Sequence, residues 1–213
     1  MNDTVSDAVE RPADLPDVQG AWRRDGRCLD GGPWEEVSDV LWLQVGSHFC
    51  DLRTALPGAT SLHGLDLPQA FGGHVEVASG AITFRHDLDS MHRDPAHPDV
   101  STVHRIADAM YERGPGFEER WVLSSRPDDP CALAERDGAN GILARIVRVG
   151  AVALAAWGGP EPGGARYAEG EHWARQPGPF PLDLALGIDE ATRAVVDGGA
   201  LPEGWARRPI GPA

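Results

Sequence analysis

The 213-residue sequence predicts an all-β protein, an antiparallel up-and-down barrel of about 8–10 strands with little helix. Three observations carry this. Short apolar or alternating runs recur along the chain, bounded by glycine-containing turn pairs. Successive runs are close enough to join as hairpins. Almost no stretch holds a helical period. A sheet of so many antiparallel strands is most stable when closed, because closure removes edges that would pair with other chains. A barrel of this size leaves room for side chains and one small ligand.

Residues 1–17 are acidic and interrupted by proline, without a hydrophobic segment, and read as a flexible leader and not a secretory signal. A single barrel domain is expected over 18–205, followed by a polar tail at 206–213. The first short strand begins at Val18–Arg24. Cys28 to Glu36 is rich in glycine and proline and reads as loop.

Asp39 to Thr54 (DVLWLQVGSHFCDLRT) is the most informative stretch. Gly46-Ser47 favours a two-residue type II′ turn, which sets Val45 opposite His48, Gln44 opposite Phe49 and Trp42 opposite Asp51. Side chains alternate faces along a strand. Val40, Trp42, Gln44, Phe49, Asp51 and Arg53 therefore share one face, and Leu41, Leu43, Val45, His48, Cys50 and Leu52 the other. The first face reads as the floor of a pocket or as an exposed ion pair on an ordinary sheet. The second, almost wholly apolar, also needs cover, from residues 158–181 or a partner subunit.

Pro57 to Phe71 is a connection with room for one helical turn at Leu65–Ala70. A second hairpin turns at Ser79-Gly80 and collects Val75, Val77, Ile82, Phe84, His86 and Leu88 on its apolar side. Residues 90–98 are loop. Asp99–Ala107 alternates with Val100, Thr102, His104 and Ile106 together. Phe117, Glu119, Trp121 and Leu123 share a face, which places Glu119 between two rings. A carboxyl desolvated there would carry a raised pKa; the alternative is an ion pair with Arg53 or Arg120. Gly150-Ala151 turns a third hairpin. Gly158–Pro181 reads as a lid or wrapping segment with a helical turn near Tyr167–Ala174. Leu182–Ile188 and Thr192–Val196 close the pattern as a strand pair.

Composition narrows the chemistry. A net charge of −14 and a sequence pI of about 4.8 oppose binding to nucleic acid or an anionic membrane. All 19 basic residues are arginine, so Schiff-base chemistry on lysine and a lysine-ended phosphate loop are excluded. Cys28, Cys50 and Cys131 form no C-x-x-C pair and read as free thiols in a reducing compartment. No apolar run reaches the ~20 residues of a spanning helix, and a cytoplasmic location is expected.

Gly20-Ala21-Trp22-Arg23 at the head of a meander barrel resembles the lipocalin-type (calycin) signature. The likeness extends to Trp42-Leu43-Gln44, Ser47, Phe49, Asp51 and Arg53, to Gly73-His74, to Phe117, Glu119 and Trp121, and to Leu201-Pro202. Spread over about residues 18–205, this pattern is similar to small single-domain bacterial members of that superfamily. The resemblance implies the fold and an internal lumen, with Trp22 plugging the closed end and a late arginine, Arg193 or Arg207, packed across it.

Three functions are compatible with these residues. The first is a cofactor-independent acid/base enzyme (isomerase, cyclase or dehydratase/lyase) for a hydrophobic natural-product-like substrate. Asp51, Glu119 and His86 would move protons, and Arg53 would hold an oxyanion. Trp42, Gln44, Phe49, Phe84, His104, Phe117 and Trp121 would bind the substrate. The second is a non-catalytic carrier or sensor of a hydrophobic ligand. The third is a haem- or metal-binding barrel using His86 or His104. His92 and His97 lie in a proline-containing loop without ligand spacing, so no metal and no cofactor is expected. A hydrophobic small molecule is the expected partner, with no nucleic acid and no membrane, and a homodimer is open.

Overall fold

The computed structural model describes residues 18–58, 61–62, 65–66, 69–78, 80–89, 96–126, 128–139, 141–157, 164–169, 172–175 and 187–210. The expected leader, His92, the turn residue Ser79, much of the Gly/Pro-rich segment and the strand expected from Leu182 lie wholly or mostly outside these residues.

Eight strands close an antiparallel up-and-down barrel. In ring order they are β1 (Gly20–Leu29), β3 (Ser38–Val45), β4 (His48–Ala55), β7 (Gln69–Ala78), β8 (Ala81–Asp89), β9 (Asp99–Ile106), β10 (Ala109–Gly114) and β11 (Phe117–Ser125), and β11 pairs back onto β1. A two-residue strand, β2 (Trp34–Glu35), is added beside the end of β1. The β5 (Ser61–Leu62) and β6 (Leu65–Asp66) pair stands apart as its own ribbon, where sequence suggested a helical turn.

The β3–β4 hairpin has the expected register, with Val45 opposite His48 and Trp42 opposite Asp51. Gly46 takes φ 52°, the left-handed geometry that a glycine-first turn requires. Its inward face joins the lumen cluster, in which Trp22, Trp42, Met110 and Trp121 are almost fully buried. The outward face has a different cover from the one expected. Leu41, Leu43, Val45, Cys50 and Leu52 pack on Leu133, Val147, Val149 and Leu154 of a second sheet. That sheet runs β16 (His172–Arg175), β15 (Gly164–Glu169), β14 (Val152–Trp157), β13 (Gly141–Val149), β12 (Cys131–Gly138), β17 (Trp205–Arg207). The third hairpin thus belongs to a separate layer, and strands replace the helical turn expected near 167–174.

On the outer side of this layer lies α1 (Ile188–Asp197), where sequence suggested a strand over Thr192–Val196. Its apolar positions recur at helical spacing, with Ile188, Ala191, Thr192 and Val195 buried against Ala144, Ile146 and Trp205. Gly198 at φ 74° ends it, the usual left-handed stop, and Asp189 and Glu190 in the first turn suit the helix dipole.

One irregularity sorts the faces of β8. The β7–β8 register slips between Gly72 and Gly73: Gly73 faces His86 but Gly72 faces Leu88, so Asp87 is an extra residue. A one-residue slip reverses every side chain beyond it. Ile82 and Phe84 therefore enter the lumen cluster, whereas Leu88 joins the inter-layer core. Val77, expected inward, is exposed at the strand end. At Gly73 a Cβ would collide with the Arg85 carbonyl oxygen. Gly73→Ala is expected to cost more than the ~1–3 kcal/mol of ordinary overpacking, because backbone and not a side chain must move. Urea denaturation measures this; a loss below about 1 kcal/mol would show that the bulge relaxes freely.

Candidate functional site

The lumen opens into a cavity of about 270 Å³ lined by Arg27, Trp42, Phe49, Asp51, Arg53, Gln69, Phe71, Phe84, His86, Asp99, Glu112, Phe117, Glu119 and Trp121. This lies just below the ~300–1,000 Å³ usual for drug-sized ligands, so it suits a molecule of one or two rings. The aromatic wall is built edge to face: Trp42 meets Phe84 and Trp121 at 5.4 Å between centroids, and Phe49 meets Phe84 at 5.3 Å.

Asp51, Arg53, His86 and Glu119 all reach this space, as do Trp42, Phe49, Phe84, Phe117 and Trp121. Two expected residues do not. Gln44 is buried below the cavity, where it accepts from Trp42 Nε1 at 3.3 Å and donates to the Gly46 carbonyl at 2.7 Å. Both ends of its amide are thereby engaged at the hairpin end. His104 is exposed on the outer face of β9, beside Thr102, Ile106 and Tyr111. The inward residues of β9 are Ser101 and Val103, which reverses the expected face and removes His104 as a lumen haem ligand.

The charged groups are arranged in four sets. Asp51, 5% exposed, is gripped by its own strand neighbour: Arg53 Nε donates to Oδ1 at 2.8 Å and Nη2 to Oδ2 at 3.4 Å. Burial works against the Arg53 charge, but Asp51 and Glu119 outweigh it and hold its pKa above the ordinary value. In the second set Arg24 Nη1 donates to Glu119 at 2.7 Å, while its Nε and Nη2 hold Glu36 at 2.8 and 3.0 Å. Arg27 Nε stands 3.2 Å from the same Glu119 oxygen. The partners of Glu119 are therefore Arg24 and Arg27, not Arg53 or Arg120.

Third is Glu112, which the sequence reading passed over. The tight turn after Gly114 pairs β10 with β11 so that Glu112 lies directly opposite Glu119. Burial and the Glu119 charge push the Glu112 carboxyl up to about 7; the Ser101 hydrogen bond and Arg53 pull the other way. Trp121 Nε1 donates to Oε2 at 3.1 Å, and Ser101 Oγ lies 2.8 Å from Oε1. An indole can only donate, whereas a hydroxyl can reverse. The acidic proton therefore belongs on Oε1. A hairpin reading of Met110–Phe117 around Gly114-Pro115-Gly116 contained the signal for this pair.

At the other side His86 stands between Phe49 and Phe71, at 5.6 and 5.3 Å, with Asp89 and Asp99 each 3.4 Å from one ring nitrogen. Cys50 faces the inter-layer core, and burial pushes its thiol up to about 12, consistent with an inert structural residue. Trp22 Nε1 donates to the Val18 carbonyl at 2.9 Å, and the guanidinium over its ring is Arg105, at 5.1 Å. Arg207 instead donates to the carbonyls of Ala194 and Gly199, and Arg193 lies on α1. Among the described residues no three His, Cys, Asp or Glu side chains converge as metal ligands, and no helix is long and apolar enough to cross a membrane.

No protein-family profile matches the chain, and no curated protein does. A solved structure of an uncharacterized protein from Saccharomyces cerevisiae is similar, with a TM-score of 0.55 and 15% identity over 74% of this chain and 84% of that one. The likeness is one of fold. An uncharacterized protein from Bacteroides eggerthii gives a TM-score of 0.38 and 10% identity over 49% of this chain and 98% of its own. The eight-stranded antiparallel barrel is compatible with a calycin-like fold.

Proposed function

We propose that this is a lipocalin-like, cytoplasmic small-molecule enzyme that moves a proton on a hydrophobic substrate held in the lumen, without a cofactor. The observation that carries the reading is Glu112, a buried carboxyl at the cavity wall whose pKa of about 7 suits both giving and taking a proton at neutral pH. Asp51 and Glu119 are tied to arginines and act as fixed charge. Arg53, held in place by Asp51, faces the cavity as a cation toward which negative charge can develop. His86, with its two aspartates, is the second proton-handling group. This set suits an isomerase, cyclase or lyase.

A second reading has its own support. The Asp51–Arg53 and Arg24–Glu119 pairs satisfy one another within the protein, as groups that only shape a carrier's cavity would. Native mass spectrometry of the purified chain separates the two. The enzyme is expected to convert a released lumen molecule, or a close analogue, on re-addition. A retained molecule that returns unchanged after prolonged incubation assigns the carrier role.

A further inference from the structure

Resting on the lumen as a ligand site, we propose that Arg27 is the anchor for a ligand carboxylate, and that the natural ligand is a compact aromatic or alicyclic monocarboxylic acid. Two other arginines at the site already bond carboxylates. Arg24 spans Glu36 and Glu119, and Arg53 is clasped twice by Asp51. Arg27 differs. Its Nε is buried without a hydrogen-bond partner, and the Glu119 oxygen 3.2 Å away already accepts a shorter bond from Arg24. Burial lowers the Arg27 pKa, and Glu119 offsets only part of that effect.

A cation in this position is undercompensated, and removing it from water is costly until an acceptor completes its hydrogen bonds. The Phe117 ring lies against the guanidinium, 5.3 Å from its Cζ to the centroid. This contact restrains the guanidinium, whose fork matches the two oxygens of a carboxylate. Charge sets the valence of the ligand. Glu119, Glu112, Asp51 and Asp99 line the same cavity, and its other arginine, Arg53, is paired with Asp51, so a second negative charge would meet carboxylates while a single one meets Arg27. The remaining wall, Phe49, Phe71, Phe84 and Trp121, takes the apolar body.

The test is isothermal titration of the full chain with matched pairs, 3-phenylpropanoate against 3-phenylpropanamide and indole-3-acetate against indole-3-acetamide, at pH 6. The wild-type protein is expected to bind each acid at least about tenfold more tightly than its amide. Arg27→Gln should bring the pair to within about twofold by weakening the acid while amide affinity holds, which also shows that the variant is folded. Arg27→Lys should restore part of the preference. Equal affinities for acid and amide in the wild type, or a preference that survives Arg27→Gln, overturns the anchor while leaving the lumen a ligand site. Binding of neither member overturns the lumen site and the anchor together.

Discussion

Arg145→Ala is expected to cost about 3–5 kcal/mol of folding stability, the range for breaking a buried ion pair by removing one partner. Arg145 is 2% exposed and fastens the second sheet to the barrel. Its Nη1 donates to the Gly73 carbonyl at 2.7 Å, its Nη2 to Asp87 at 2.8 Å and its Nε to Glu135 at 2.7 Å. Alanine leaves a barrel carbonyl and the Asp87 carboxylate without this donor, and Glu135 retains Arg208 at 3.0 Å. Urea denaturation reads the loss. The thiol of Cys50 gives a local signal, because it lies in the same interface with its sulfur 4.0 Å from the Arg145 carbonyl oxygen. Its labelling rate should rise in the variant. A loss under about 1 kcal/mol with Cys50 still protected would mean that apolar packing alone holds the layers together.

Under the proposed proton-transfer role, Glu112→Gln is expected to lower turnover by about 10²–10⁴-fold yet stabilise the protein at alkaline pH. The amide reproduces the neutral acid: its oxygen accepts from Trp121 Nε1 and its NH₂ donates to Ser101 Oγ. It cannot give up a proton, and a lost acid–base group costs about 10²–10⁴-fold in rate. The stability effect has a definite sign. The Glu112 pKa rises from 4.5 unfolded to about 7 folded. Below pH 4.5 both states hold the proton and no difference arises. Between 4.5 and 7 the unfolded state releases it first, so wild-type stability falls as pH rises. Above 7 the full penalty applies, on the order of 3 kcal/mol. Wild type and variant should therefore differ little in pH dependence below 4.5 and diverge to a plateau above 7. Parallel stability curves from pH 4 to 8.5 would show that Glu112 titrates normally and overturn the role proposed for it as proton carrier.

The lumen wall was readable where turn chemistry dictated register. Gly46-Ser47 placed Asp51, Arg53, Phe49 and Trp42 together, because only one pairing follows from a two-residue turn. Phe117, Glu119 and Trp121 followed from simple alternation. On β9 alternation failed as a guide, since Val100 and Ile106 make the outward row at least as apolar as the inward Ser101 and Val103. A polar lumen inverts the usual sorting. The ion-pair partners of Glu119, Arg24 and Arg27, lie on β1 on either side of a register shift between Arg24 and Gly26, and strand periodicity carries no trace of such a shift. Which hairpins close the barrel and which form a second layer was equally hidden, because β12–β14 use the same alternating code as the barrel strands. The helix over 188–197 was legible in its spacing and in Gly198, and was masked by β-branched residues that suit a strand.

The extra residue at Asp87 also determines which kinds of sequence change this region can absorb. Upstream of it Ile82 and Phe84 point into the lumen; downstream Leu88 packs into the join between layers. A change of residue type in β8 therefore alters a single surface. Losing or gaining one codon there would hand the chamber's side chains to the join and the join's to the chamber. A substitution in this strand is felt locally, whereas a change of its length is felt on both surfaces.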